Sequence, residues 1–351
     1  MLQVEAYAFL ECVIPPAASL RIFGIKCSSK RPIKHMKAYL LASIVLAISS
    51  AISVSADEKH KELGDVDWLR NYDLAVEQSN KTGKPILLLF QEVPGCQGCV
   101  NYGQETLKHP LIVDAIEEEF VPLAIFNNVA SGHDREILKR FKEPTWNYQV
   151  MRFIDSKGKD IIPRKDRVWT PSGTAERMLQ ALKSAKRPTP DYLRTVALSS
   201  KMAELQTAVF SMYCFWDGEA KLGAINGVIE TEAGWLDGKE VVRVRFDKKV
   251  VTWPELVNSA QSHGCAKQVY APDAKALAAT PKALTSRANL YDPAAFRSAR
   301  ASDQKRHLQF SKAKNLPLNP VQRTKINAAL AEKDLTMISK WLSPSQRKML
   351  M

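Results

Sequence analysis

Between positions 60 and 190 the apolar residues follow two kinds of pattern. Pro85–Phe90 and Phe120–Phe126 are short continuous apolar runs, which are typical of strands buried on both faces. Elsewhere the apolar positions recur at helical spacing or mark a hairpin. The predicted helices cover residues 68–81, 96–106, 111–119 and 174–184, and the predicted hairpin joins 150–154 to 160–162. This order of elements predicts an α/β (α+β) sandwich.

A second set of elements follows a break in the pattern. Lys186–Pro190 contains two prolines, so residues 186–206 are interpreted as a linker followed by a helix. Thr207–Tyr213 predicts a strand, and Glu240–Phe246 alternates cleanly between apolar and polar positions, which predicts another. Further helices are predicted over 219–225 and 253–260. Residues 207–272 are therefore interpreted as a second α/β domain.

The N-terminal region has the layout of a targeting segment. Residues 36–56 combine a basic start, a short apolar run and a small-residue end, as a secretory signal peptide does. The alternative is an uncleaved N-terminal anchor. Residues 1–35 precede the predicted signal peptide, although a signal peptide is expected at the start of a protein. We therefore interpret them as upstream sequence included by a mis-called start. The mature protein is expected to be periplasmic or secreted, with membrane contact only through the transient signal peptide.

Composition narrows the class of protein. Hydrophobic residues make up 45% and charged residues 25% of the 351 positions, which excludes a collagen, a coiled coil, a disordered polyelectrolyte and a multi-span membrane protein. The net charge of +13 is concentrated near the end, since residues 282–351 carry fourteen Lys and Arg against four Asp and Glu. We therefore expect residues 273–351 to be a solvated, basic, partly helical tail, and we expect no nucleic-acid partner.

Six cysteines are too few for a disulfide scaffold, and two of them precede the proposed cleavage site. Cys96 and Cys99 are separated by two residues after a buried strand, which in an exported protein favours a redox motif. A purely structural disulfide is the alternative. Zinc would need a second pair of nearby ligands, so no metal and no cofactor are predicted.

The segment Lys84–Cys99, which ends in Val-Pro-Gly-Cys-Gln-Gly-Cys, resembles the exported thioredoxin-like proteins with a Val-Pro-Gly-Cys (or selenocysteine)-x-x-Cys/Thr motif. The resemblance implies a thioredoxin-like domain over residues 57–185, with Cys96 as the attacking thiol and Cys99 as the resolving thiol. Thioredoxins place a cis-proline before the third strand, whereas here Gln149 precedes Val150.

Tyr213-Cys-Phe-Trp-Asp-Gly-Glu219 places a thiol beside two aromatic residues where a strand meets a helix. The alternative is that Cys214 is a buried core cysteine beside core aromatic residues. Together with Gly227–Thr231, Ala233–Trp235 and Glu240–Asp247, this motif resembles the peptide-methionine (S)-S-oxide reductases. The resemblance implies that Cys214 is the nucleophile and that Glu240 protonates the sulfoxide oxygen. It also implies substrate-binding aromatic residues, namely Phe215, Trp216 and Trp235.

The second domain also departs from that family. Tyr213 and Asp217 stand where the family has glycines, and Gly238 leads almost directly into Glu240, so a family loop is missing. Cys265 lies in a segment that borders the active site in the resembling family, and it could resolve the Cys214 sulfenic acid. The alternatives are a spare thiol or a static bridge between the two cysteines.

Two enzymatic hypotheses and one non-enzymatic hypothesis remain. The first is an exported methionine sulfoxide reductase with Cys96 and Cys99 as its internal dithiol reductant. The second is a thiol–disulfide oxidoreductase whose degenerate second domain only binds peptide or a partner protein. The third is an envelope-associated binding protein with structural disulfides. The expected partners are methionine sulfoxide or an oxidised protein substrate, and an external thiol/disulfide electron donor.

Overall fold

Two β-sheets organise the chain, whose computed structural model describes residues 60–146 and 149–351. The strands of the first sheet are β1 (Ile86–Gln91), β2 (Val121–Phe126), β3 (Val150–Ile154) and β4 (Lys165–Asp166). Their order is β2-β1-β3-β4, with β1 parallel to β2 and antiparallel to β3. All six residues of β1 are buried, because both faces of this central strand are covered. The continuous apolar run of the sequence predicts that arrangement.

Five helices accompany this sheet: α1 (Tyr72–Thr82), α2 (Gln97–Glu105), α3 (Pro110–Glu119), α4 (His133–Phe141) and α5 (Pro171–Ser184). The sequence predicts a helix from Trp68, but α1 begins later because Asn71 caps it by accepting a hydrogen bond from the Leu74 N–H. Leu69 instead forms a parallel bridge to Leu123 of β2. The pattern did not predict α4.

The predicted hairpin after β3 is only partly formed. Asp160 makes a single bridge to Ile154, and the strand that pairs with β3 on the side away from β1 is β4. Pro163 has no N–H to donate, so a ladder starting at Asp160 cannot continue through that position.

The second sheet and its helices follow α6 (Asp191–Ala197) and a 3-10 helix at Leu198–Glu204. These elements are β5 (Gln206–Ser211), α7 (Phe215–Ala224), β6 (Val228–Leu236), β7 (Lys239–Phe246), α8 (Trp253–Ser262) and β8 (Gln268–Ala271). The strands β6, β7, β5 and β8 pair antiparallel in that order. The turn between β6 and β7 contains only Asp237 and Gly238, both at positive φ. A tight hairpin therefore stands where the resembling family has a loop.

Residues 273–351 are part of the fold, which contradicts the predicted solvated tail. They form α9 (Ala274–Ala278), β9 (Ala288–Leu290), β10 (Arg297–Ser298), α10 (Arg306–Gln309), α11 (Pro320–Ala331), α12 (Leu335–Trp341) and α13 (Pro344–Lys348). β9 and β10 complete the two edges of the second sheet, whose order is β10-β6-β7-β5-β8-β9. The capping boxes that start α11 and α13 are the local signals for these helices.

The C-terminal region also contacts the first domain. The Asn319 side chain donates to the Thr195 hydroxyl at 2.7 Å, and the Ser345 hydroxyl donates to the Asp114 carboxylate at 2.5 Å. Within the described ranges, no helix is long and apolar enough to cross a membrane. The predicted signal peptide and the upstream segment both lie outside the described residues.

Candidate active site

The first thiol pair lies at the N-terminus of α2. Cys96 occupies the N-cap position and is exposed, whereas Cys99 lies one turn further on and is buried. Both are free thiols, with their Sγ atoms 3.7 Å apart. Gly95 makes this approach possible, since a Cβ there would clash with the Glu92 carbonyl oxygen and lie 2.7 Å from the Cys99 Cβ. The Val93–Pro94 peptide bond is cis.

Burial separates the two thiols chemically. Desolvation raises the pKa of Cys99 to about 12, although a hydrogen bond from the Glu92 N–H acts in the opposite direction. Cys99 therefore stays protonated near neutral pH. Cys96 is exposed at the N-cap of α2, so it is the thiol of the pair that a substrate disulfide can reach.

Polar side chains that the sequence did not single out hold the loop before Cys96. Glu62 is buried in the 3-10 helix Lys61–Leu63, and its Oε1 accepts a hydrogen bond from the Gly95 N–H at 2.6 Å. The Gln91 amide donates to the carbonyl oxygens of Glu62 at 2.9 Å and Cys99 at 3.2 Å. These bonds fix the strand end, the loop and α2 relative to one another.

Glu92 joins the two thiols in a possible ligand set. One carboxylate oxygen of Glu92 and the two Sγ atoms all lie within 4.8 Å of one another. Three ligands are one fewer than the four protein ligands of a closed structural zinc site.

The second site is built around the N-terminus of α7, where Cys214 occupies the N-cap position and is half-buried. The Phe215 N–H donates to Oε2 of Glu240 at 2.7 Å. Glu240 reaches this position because the tight turn starts β7 one residue before it and pairs it with Trp235 across the hairpin. The structure thus brings Glu240 to the same end of α7 as Cys214.

Three aromatic residues of the predicted pocket lie together at this end of α7. The Phe215 ring is buried, with its centroid 5.9 Å from that of Trp216 and 5.5 Å from that of Trp235, edge to face in the second case. Trp235 keeps 42% of its surface exposed. An apolar platform that is partly open to solvent therefore lies at the end of α7 whose N-cap is Cys214.

The residues that replace the family glycines point to solvent or to an ion pair. Tyr213 is exposed, and Asp217 pairs with Lys221 one turn later at 2.7 Å. At Gly218 a Cβ would meet the flexible side chain of Met212, so α7 packs closely on the residue that follows β5.

Cys265 is a buried free thiol just after α8. Desolvation raises its pKa to about 11, while the charge of Lys221 on α7 acts in the opposite direction. Cys214 and Cys265 are not bridged in the structure. His263 holds the turn, because its Nδ1 lies 2.7 Å from the Ser259 carbonyl oxygen.

Sequence reasoning missed a buried ion pair directly behind the second site. Glu219 of α7 is completely buried, and its carboxylate accepts hydrogen bonds from the Lys305 backbone N–H at 2.6 Å and from Lys305 Nζ at 2.5 Å. The only sequence signal was an acidic residue one turn after Trp216, on a helix that is otherwise largely apolar. Its partner comes from the region that was predicted to be a tail.

A cavity of about 590 Å³ lies at the opposite, C-terminal end of α7. Lys325 lines it and donates from Nζ to the carbonyl oxygens of Gly223 at 2.8 Å and Ile225 at 3.1 Å. Burial lowers the pKa of Lys325 to about 8. None of the four thiols lines this cavity.

The first of the two thiol sites lies in a segment that matches a family model. Residues 67–152 match a family model described as thioredoxin-like. This part of the chain is a thioredoxin-like domain. Its exposed and buried cysteines, Cys96 and Cys99, both lie within the matched segment.

The chain is also similar to peptide methionine sulfoxide reductases. It is 36% identical over 73 residues to "Peptide methionine sulfoxide reductase MsrA" of Methanococcus maripaludis, covering 16% of this chain and 46% of that protein. It is 39% identical over 75 residues to "Peptide methionine sulfoxide reductase MsrA 2" of Rhizobium meliloti, covering 17% and 38% respectively. The chain thus spans less than half the length of these relatives. A solved structure named "DsbH Oxidoreductase" has 19% identity and a TM-score of 0.29, and the match covers 36% of this chain and 88% of that chain.

Proposed function

We propose that the protein is an exported, thiol-dependent reductase of methionine sulfoxide, with Cys214 as nucleophile and Cys96 and Cys99 as its internal dithiol reductant. One observation carries the proposal: Glu240 is hydrogen-bonded to the N-terminus of α7, next to Cys214 and its aromatic platform. The similarity to methionine sulfoxide reductases supports the choice of substrate. The layout of residues 36–56 supports export to the periplasm or beyond.

The first step transfers the oxygen atom. The Cys214 thiol attacks the sulfoxide sulfur and forms an S–S bond, while Glu240 and the thiol supply two protons to the oxygen, which leaves as water when the S–O bond breaks. Phe215 and Trp216 contact the substrate methyl group. The water then attacks the Cys214 sulfur, the S–S bond breaks, and Glu240 takes back a proton. The products are methionine and the sulfenic acid of Cys214, so the substrate sulfur is reduced and the cysteine is oxidised. A protonated oxygen leaves far more easily than oxide, which is why a positioned acid accelerates the step.

The next steps return the enzyme to its reduced state. The Cys265 thiol attacks the sulfenic sulfur and a disulfide with Cys214 forms, with the proton and hydroxyl group leaving as water. Cys96 then attacks that disulfide and Cys99 resolves the mixed disulfide, which leaves Cys96 and Cys99 oxidised. An external dithiol reduces this last pair and completes the cycle.

The test measures reduction of free and peptide-bound methionine sulfoxide by chromatography, with excess dithiol. Cys214→Ser should abolish turnover, and Glu240→Gln should slow it by about 10²–10⁴-fold, the usual contribution of a positioned acid. Cys265→Ser should retain a single turnover but lose recycling through Cys96. Wild-type protein that reduces disulfides but neither sulfoxide would contradict the proposal.

The second candidate function is a thiol–disulfide oxidoreductase whose second domain only binds a peptide or partner protein. The two-residue turn at Asp237–Gly238 favours it, because the hairpin leaves no loop to close over a substrate at Cys214. This function predicts that Cys96→Ser abolishes disulfide reduction while Cys214→Ser leaves it unchanged. Insulin reduction, followed by turbidity, measures this activity, and the absence of sulfoxide reduction by the same protein distinguishes the second function from the first.

A further inference from the structure

A cationic side chain from the C-terminal region lies directly over the aromatic platform of the second site. Arg306 begins α10, and its guanidinium carbon is 4.4 Å from the ring centroid of Trp216. The same carbon is 4.1 Å from the ring centroid of Phe310, which is largely exposed. Arg306 is thus held between two aromatic rings, one of which belongs to the Cys-Phe-Trp motif.

The guanidinium has no polar partner among the residues that the structure describes. Other arginines of this domain do have one: Arg243 pairs with Glu232, and Arg245 pairs with Glu230 at 3.3 Å. Ring contacts occupy the faces of a guanidinium and leave its N–H edge available. That edge carries a planar set of donors which matches a carboxylate in a two-point hydrogen bond.

The buried ion pair fixes where Arg306 stands. Lys305, the preceding residue, adopts a left-handed conformation with φ 52° and is bound through both its backbone N–H and its ammonium to Glu219. Glu219 lies one helical turn after Trp216 on α7. The position of Arg306 on the Trp216 ring is therefore set by the same helix that presents Cys214.

We propose that Arg306 binds the α-carboxylate of free methionine sulfoxide and so makes the free amino acid the preferred substrate. In that molecule only a few bonds separate the sulfur, which must reach Cys214, from the carboxylate. In the protein, Trp216 contacts Arg306 and lies in the first turn of α7, two residues after Cys214 at the N-cap. The inference rests on the proposed function and names the substrate class of its site.

The activity test compares free methionine sulfoxide with its methyl ester, in which the carboxylate has no charge. Arg306→Leu should raise KM for the free amino acid by about 10- to 100-fold, the usual effect of losing a charged hydrogen bond. It should leave KM for the ester unchanged, and wild-type protein should prefer the free acid by a similar factor. Arg306→Lys should recover part of the loss, because it keeps the charge without the planar fork. Arg300→Leu is the matched control, since Arg300 is an exposed arginine of the same segment.

A binding measurement separates failure of the inference from failure of the proposed function. Isothermal titration of methionine sulfoxide into the Cys214→Ser variant needs no turnover. If binding is lost on adding Arg306→Leu but not Arg300→Leu, the inference stands even where no reductase activity is found. Equal affinity for acid and ester, or an Arg306→Leu effect that is the same for both, overturns the inference while leaving the reductase proposal intact.

Discussion

The buried pair between Glu219 and Lys305 predicts a large and specific loss of stability. The carboxylate of Glu219 is fully buried and the Lys305 side chain is 8% exposed, so neither charge can regain water when its partner is removed. Replacing Lys305 by Met leaves the carboxylate with the Lys305 backbone N–H and a hydroxyl contact from Thr231 at 3.4 Å. Neither group neutralises its charge.

The magnitude follows from the cost of an uncompensated buried charge. Removing one partner of a buried pair typically costs about 3–5 kcal/mol, so Lys305→Met and Glu219→Gln should each lower the free energy of unfolding by that amount. In the double variant both charges are absent, and it should be more stable than the sum of the single effects predicts by roughly 1–3 kcal/mol. Such coupling is what distinguishes a true pair from two separate packing defects.

The assay is urea unfolding of the reduced protein at fixed pH, followed by circular dichroism. Lys221→Met is the matched control, because its pair with Asp217 lies on the same helix but both side chains are exposed, at 36% and 59%. That control should cost only about 0.3–0.5 kcal/mol. Single variants at Glu219 and Lys305 that cost no more than the control would refute the reasoning, as would strict additivity in the double variant.

Three further predictions follow from individual residues. Iodoacetamide should label Cys96 before Cys99 in the reduced protein, because Cys96 is exposed while burial raises the pKa of Cys99 to about 12. If mass spectrometry shows the reverse order, Cys99 is the attacking thiol and Cys96 the resolving thiol. Gly103→Ala should lower the free energy of unfolding by about 1–3 kcal/mol, since its Cβ would clash with the Lys61 carbonyl oxygen. Burial lowers the pKa of Lys325 from 10.5 to about 8, so between these two pH values the folded state binds fewer protons than the unfolded state. The free energy of unfolding should therefore rise with pH across that window. Lys325→Met should remove this dependence on pH.

The elements that the sequence predicted well are those in which the buried positions follow one simple pattern along the segment. β1 is buried at every position, and β7 alternates between buried and half-buried positions from Val242 to Phe246, so each has one simple pattern of hydrophobicity. α4 was missed because its apolar residues are confined to Ile137, Leu138 and Phe141, while its first turn is entirely polar. A short helix with one buried turn offers too few apolar positions to establish a period.

The prediction of a solvated C-terminal tail was wrong for a different reason. Residues 273–351 are rich in Lys, Arg, Ala and Pro, and their composition resembles that of an exposed segment. β9 and β10 are only three and two residues long, and they are stabilised by pairing with β8 and β6 rather than by their own pattern. Short edge strands of this kind depend on a sheet that is already in place, which the segment's own sequence cannot reveal.

The candidate sites likewise differ in how much of their geometry local sequence can predict. Cys96 and Cys99 are three residues apart, so helix geometry alone brings them together, and the sequence was sufficient to pair them. Glu219 and Lys305 are 86 residues apart, and nothing in the composition around Lys305 distinguishes it from the other basic residues of the region. Lys305 fixes Arg306 on the Trp216 ring. The residue that we propose to select the substrate therefore lies outside the Cys-Phe-Trp motif, which we propose to perform the chemistry. A Cys-Phe-Trp motif can therefore indicate a reaction type, while the proposed contact of Arg306 with a carboxylate depends on residues that only the fold brings to the site.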